Sequence, residues 1–360
     1  MKTFLGDMHD YIYESEKVAL NVFSNRKELS SGFIDVFKNN QIETIVLTGA
    51  GTSNYSAQGV RTFFEKVLKI PVIVPLTNHF IDGEYLVKGK GLCIGISATG
   101  SSASTIKALD KANSLGMITM ALTNELDSEV VKHCDHVLFL DHGVEDVSPK
   151  SKSFICEIVT LMCCALETAN EIGSVTSIEY ENYSNRLEKT VCNLTHIAIK
   201  SDEWFKQNEE EFKNCNRMLL VGYGKNFGIL QEGALKILEC GRFQTCFYEL
   251  EEFMHGIYHS IDKDCYILHL GNKSKYFERM IQLKNYLSEF TTHQFLITSQ
   301  DCSNTIQDLK INFVDDEEFA MIEYIVPCQI LAYRIAVTKG INPNKPSDPY
   351  FHRKMNSKFI

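Results

Sequence analysis

Short apolar runs alternate along the chain with longer stretches in which apolar positions recur every three or four residues. In the first half the runs are ETIVLTG (43–49), PVIVPL (71–76), GLCIGIS (91–97), MITMALT (117–123) and DHVLFL (135–140). Helical periodicity covers 53–69, 102–115 and about 150–171. Strands that are apolar at successive positions need cover on both faces, and intervening helices supply it. The pattern therefore predicts an α/β fold with a parallel sheet. A polar helical stretch at about 173–213 interrupts the alternation, which resumes with RMLLVG (217–222), a helix, TCFYEL (245–250), CYILHL (265–270) and HQFLITS (293–299).

The second half reads as a diverged copy of the first. An offset of 173 residues lays VLTGAGTSNYSAQG over LLVGYGKNFGILQE, so that Gly49 meets Gly222, Gly51 meets Gly224 and Gln58 meets Gln231. The match falls in the same strand–turn–helix context both times. The expected organisation is an N-terminal helix (1–29), a first α/β domain (30–172), a helical linker (173–205), a second α/β domain (206–339) and a C-terminal tail (340–360).

A chain of 360 residues suits two cores of this kind. Its net charge of −10 argues against a general nucleic-acid surface. No apolar run reaches the ~18 residues of a spanning helix, so no membrane partner is expected. Two Asp and two Glu among the first sixteen residues do not fit a secretory signal, and a cytoplasmic location is expected. Twelve cysteines include no CxxC pair; Cys93, Cys156, Cys163, Cys164 and Cys328 sit in apolar surroundings, where a reduced, structural role is expected.

Three turns between a strand and a helix are rich in Gly, Ser and Thr: Gly49–Ser53, Ser97–Ser102 and Gly222–Asn226. Backbone N–H groups at a helix N-terminus form an anion site, and the hydroxyls of Thr52, Ser53, Ser97, Thr99 and Ser102 would add donors around a phosphate. The same hydroxyls could serve as helix caps. A dinucleotide site is disfavoured, because Asn54 stands where the third glycine of the fingerprint belongs and the second strand ends without an acidic residue. No GxxxxGK[ST] loop occurs.

Glu232, Lys236 and Glu239 lie at i, i+4 and i+7 of an otherwise apolar helix and share one face. That stripe could be a solvated set of ion pairs. His255 follows in Glu249-Leu-Glu-Glu-Phe-Met-His255-Gly, and a histidine with a carboxylate makes an acid–base pair for moving protons on a sugar.

Together the GTS turn, the I-S-x-[ST]-G turn, EGALKxxE and the E-x-x-H-G motif resemble the sugar isomerase (SIS) family. The chain is most similar to its double-SIS members, which include the isomerase half of glucosamine-6-phosphate synthase and the fructosamine-6-phosphate deglycases. The resemblance runs from about residue 30 to 345 and implies two flavodoxin-like, three-layer α/β/α domains. It implies that Ser53, Ser97, Thr99 and Ser102 hold a 6-phosphate, that Glu239 moves a proton between C1 and C2, and that His255, supplied across a homodimer interface, opens the ring or acts as acid. Glu232 and Lys236 match the family's supporting charges. Glu145, Lys152 and Phe154 keep the spacing of the loop E-x-x-V-A-x-T-K-x-[FY], with Ser148 at its sugar-contacting position. Ala98 and Ser101 replace the family's Gln and Glu, and the divergent tail places Lys354 only loosely in the role of a C-terminal lysine over the active site.

The chain begins MKTF and is not expected to carry the synthase's glutaminase domain. The reading that follows is a cofactor-independent, metal-free enzyme on a hexose 6-phosphate derivative, foremost a deglycase releasing glucose 6-phosphate and an amine. An amino-sugar-phosphate isomerase or deaminase is the first alternative, and a non-catalytic sugar-phosphate sensor the second.

Overall fold

The computed structural model describes residues 6–302 and 305–359. Its strands, all parallel, fall into two five-stranded sheets. The first comprises β1 (Thr44–Gly49), β2 (Val72–Ile73), β3 (Gly91–Ile96), β4 (Ile118–Thr123) and β5 (His136–Phe139), in the order β2-β1-β3-β4-β5. The second comprises β6 (Arg217–Gly222), β7 (Gln244–Glu249), β8 (Tyr266–Gly271), β9 (Gln294–Thr298) and β10 (Leu309–Lys310), in the order β10-β9-β8-β6-β7. Read from the other edge, that order is the first one again. Both are the doubly wound flavodoxin arrangement, in which the order reverses beside the first strand of each sheet. The internal repeat seen in the sequence is thus a repeat of topology.

The chain divides into two compact units. One holds the first sheet and is made of Lys17–Glu145, Lys152–Glu188 and 346–359; the other holds the second sheet and is made of 6–16, Asp146–Ser151 and Lys189–Lys345. In the first, every residue of β1 and β3 is buried, and the helix Thr52–Leu68 packs on Lys152–Glu171. In the second, β8 and β9 are buried throughout, and Phe227–Gly241 packs on Ala320–Thr338. Central strands buried on both faces explain why the apolar runs lack alternation.

Most predicted strands match to within a residue or two. PVIVPL yields only Val72–Ile73, because prolines at 71 and 75 bracket it and cannot donate to a ladder. The helices Phe277–Leu287 and Ala320–Thr338 and the short β10 were not anticipated. No uninterrupted apolar run reaches 18 residues, but two helices, Lys152–Glu171 and Ala320–Thr338, are by length and composition apolar enough to cross a membrane. They are core helices, with 94% and 83% of their most apolar windows buried. Burial pushes the thiols of Cys93, Cys164 and Cys328 up to about 12.

Candidate functional site

In the first unit the strand order reverses between β1 and β3, so the turns that follow these two strands face a common crevice. The turn after β1 is tight: a Cβ on Gly49 would lie 2.9 Å from the Ser53 Cβ and 3.1 Å from the Ile96 carbonyl. Gly51 adopts a positive φ of 58° and turns the chain into the helix Thr52–Leu68. Asn54 and Tyr55 N–H groups bond to the Gly51 carbonyl, whereas that of Ser53, at the second helical position, makes no such bond.

Ser97 leaves β3 buried, and its Oγ lies 3.5 Å from the Ser102 N–H. Thr99 is exposed, with its hydroxyl 2.9 Å from that of Ser101. Ser102 opens the helix Ala103–Ser114 and accepts a bond from the Thr105 hydroxyl at 3.0 Å. Gly100 closes the turn at φ +62°, where a Cβ would fall 1.8 Å from Ser128 Oγ. The structure thus gathers Thr52, Ser53, Ser97, Thr99 and Ser102 at the carboxyl ends of β1 and β3.

Two features of this crevice were not anticipated. The buried carboxylate of Glu157 accepts a hydrogen bond from Ser53 Oγ at 3.0 Å and another from Ser56 Oγ at 2.7 Å. An acidic residue within the apolar stretch Phe154–Ala165 was the available signal. The tail also returns to the turn. Phe359 N–H donates to the Ser101 carbonyl at 2.9 Å, Ala103 N–H donates to Ser357 at 3.2 Å, and Lys358 pairs with Ser102 in an antiparallel bridge. Lys354, the tail residue singled out in the sequence, is exposed and lies 3.5 Å from Asp348.

The second unit carries the charged helix. Glu232 and Lys236 are almost wholly buried, while the Glu239 side chain remains 36% accessible and so can meet a ligand. Lys236 Nζ donates to Glu239 Oε2 at 2.6 Å and lies 3.4 Å from Glu232 Oε1. Burial disfavours the Lys236 ammonium, but the two carboxylates outweigh it and hold its pKa above the ordinary lysine range. The stripe is therefore a buried ion network and not a solvated face.

His255 is exposed in the turn after the helix Leu250–Phe253, with its N–H bonded to the Glu252 carbonyl at 3.0 Å. Within the chain no ion pair or hydrogen bond joins His255 to Glu239. The connectivity explains this. The helix Phe227–Gly241 runs back along the sheet and leaves Glu239 just before β7 begins, whereas His255 lies past the end of β7, roughly 16 Å of strand away.

The second crevice differs from the first. Asn226 and Asn272 stand where Ser53 and Ser97 stand, four residues after the first strand's closing glycine and one residue after the third strand. Their side chains bond to each other at 2.8 Å. Tyr223, at the place of the small Ala50, is 1% exposed and its hydroxyl donates to the Asn272 carbonyl at 2.6 Å. The protein's own side chains close this crevice.

Among the loop residues, Glu145 accepts bonds from the N–H groups of Lys152 and Ser153, both at 3.0 Å, and so caps the helix Lys152–Glu171. Lys152 is 2% exposed, with Nζ donating to the Val144 carbonyl at 2.8 Å, and Phe154 is fully buried. Ser148, in the other unit, is exposed and held by its N–H to the Asn344 carbonyl at 3.3 Å. Asp7, His9 and Asp10 bring possible metal-ligand atoms within 4.8 Å of one another. However, Asp7 and Asp10 cap each other's N–H groups at 3.0 Å, and His9 Nε2 lies 2.8 Å from Asp202, so the trio reads as a helix start.

Comparison with known proteins agrees with this architecture. The model of the SIS domain matches residues 40–169. The isomerizing glutamine–fructose-6-phosphate aminotransferase of Thermococcus kodakarensis is 24% identical over 337 residues, which are 93% of this chain and 56% of that protein. The chain spans about half the length of the curated relatives it matches. A Clostridium difficile protein named as a candidate phosphosugar isomerase is similar in structure with a TM-score of 0.91 at 28% identity, covering 99% of each chain. The C-terminal domain of glucosamine-fructose-6-phosphate aminotransferase from Francisella tularensis has a TM-score of 0.81 at 22% identity, covering 95% of this chain and 99% of that one, a likeness of fold. Residues 40–169 thus match the SIS domain, the second sheet repeats the topology of the first, and over its length the chain is similar in structure to a candidate phosphosugar isomerase.

Proposed function

We propose that the protein is a phosphosugar-transforming enzyme that acts on an amine-bearing hexose 6-phosphate, foremost a fructosamine-6-phosphate-type deglycase. The observation that carries this reading is the network on the helix Phe227–Gly241, where a buried ammonium holds a partly accessible carboxylate at 2.6 Å. Burying a lysine between two carboxylates is costly unless the charges serve each other, and such a constellation is suited to proton transfer. A solvated stripe would have no need of it.

In the proposed reaction the crevice between β1 and β3 holds the 6-phosphate through the backbone N–H groups and hydroxyls that Thr52, Ser53, Ser97, Thr99 and Ser102 offer together. Glu239 removes a proton from C1 of the ketosamine, giving an enaminol. Returning the proton to C2 produces an imine at C1, and water splits it into glucose 6-phosphate and the free amine. The Lys236 ammonium donates to Glu239 and orients its carboxylate for the first step, and Glu232 balances the ammonium. Proton transfers of this kind need no redox or metal chemistry. Ser148 is assigned to the sugar and Lys354 to the tail's approach.

His255 completes the site from a second copy of the chain in this proposal. The roughly 16 Å of strand between it and Glu239 within one chain favours that arrangement over a pair in cis. Buried thiols such as Cys93, Cys164 and Cys328 suit a reducing, cytoplasmic setting.

The test is incubation with fructosyl-amino-acid 6-phosphates and with glucosamine 6-phosphate, measuring released sugar phosphate and amine, beside a Glu239→Gln variant. Amine released from the glycated amino acid and lost in the variant, by at least about 10²-fold, is the expected result. Turnover of glucosamine 6-phosphate alone would replace the deglycase with an isomerase or deaminase. Saturable binding without turnover of any of them would make the protein a sugar-phosphate sensor.

A further inference from the structure

The position of Glu157 bears on how the anion is held. Ser53 is aimed at the crevice by the resemblance, yet its hydroxyl proton points the other way, onto a carboxylate that is 1% exposed. Glu157 projects from the helix Lys152–Glu171 toward the first turn of the helix Thr52–Leu68, and it takes the hydroxyls of both Ser53 and Ser56 from that turn. A serine hydroxyl has one proton to give. While Glu157 accepts it, Ser53 can offer an anion only lone pairs on the side-chain oxygen, which repel it. The Ser53 N–H, at the second helical position, is the group left to donate.

We infer that Glu157 is a positioning residue that withdraws the Ser53 hydroxyl from the phosphate cradle, so that Ser53 serves the anion through its backbone and the turn Ser97–Ser102 supplies the hydroxyl donors. This rests on the phosphosugar reading above. It makes the cradle weaker than its hydroxyl content suggests, and it identifies the residue responsible. Replacing Glu157 by glutamine keeps the shape but supplies an amide that donates to serine oxygens, which frees the Ser53 proton to turn toward the ligand.

The test is titration with glucose 6-phosphate, followed by ³¹P NMR and calorimetry, of four full-length proteins: wild type, Glu157→Gln, Ser53→Ala and the double variant. Glu157→Gln is expected to tighten binding by about tenfold, the scale of one charge-assisted hydrogen bond. In the Ser53→Ala background the same change is expected to produce no gain. Equal or weaker binding by Glu157→Gln overturns the inference. So does a gain that persists without the Ser53 hydroxyl, since that would be a through-space effect of charge. If Glu157→Gln does not fold, Glu157→Asp retracts the acceptor by one methylene and is expected to shift the affinity in the same direction. Absence of saturable binding to wild type removes the phosphosugar reading, and this inference falls with it.

Discussion

Lys236 is 1% exposed and has a carboxylate on either side within 3.4 Å. Lys236→Met removes the ammonium that Glu232 and Glu239 both face and leaves the two carboxylates opposed to each other. The expected loss of stability is about 3–5 kcal/mol, measured by urea unfolding, and a Glu232→Gln change added to it should recover part of that loss. His269 is a second buried titratable group. It is fully buried in β8 with Nε2 3.0 Å from the Gln294 amide oxygen, and burial pushes its pKa down to about 4. The unfolded chain takes up a proton near pH 6.5 that the folded chain refuses until about pH 4. Stability from this group is therefore intact above pH 6.5 and falls as the pH drops through that window, by up to about 1.4 kcal/mol per unit. Replacing His269 by glutamine should flatten the slope of unfolding free energy against pH between 4 and 6.5.

At the scale of elements, the helix Lys152–Glu171 begins on Glu145, whose two oxygens take the N–H groups of Lys152 and Ser153. Glu145→Ala should cost about 1–2 kcal/mol in thermal or urea unfolding, whatever it does to activity. This shows how far the chain could be read from its letters. All strands but β10 were legible because double-sided burial leaves unbroken apolar runs, and Glu232, Lys236 and Glu239 were legible because helical spacing alone puts them on one face. The resemblance pointed to Glu145 without saying what it does, and the structure assigns it a cap. Ser53 and Glu157 are 104 residues apart, and no local pattern couples them. The docking of Ser357–Phe359 on the Ser101–Ala103 turn was equally hidden, since an isolated bridge leaves no periodicity. The helix Ala320–Thr338 escaped because it is buried nearly all round and shows little polar face.

For the whole molecule, the proposed sharing of the site between two copies has a consequence that no single variant can mimic. Glu239→Gln and His255→Gln should each be inactive alone. Mixed in equal amounts and allowed to exchange subunits, they should regain about a quarter of wild-type activity, because half the dimers then pair one intact glutamate with one intact histidine. Failure of the mixture, with exchange confirmed by native mass spectrometry, would return His255 to its own chain. The closed crevice beneath Tyr223 and the Asn226–Asn272 pair carries a different lesson. On this geometry, two repeats of one topology are expected to make one receptor. Saturation should come at one sugar phosphate per chain, because the second unit fills with its own tyrosine and asparagines the place where the first leaves room for a ligand.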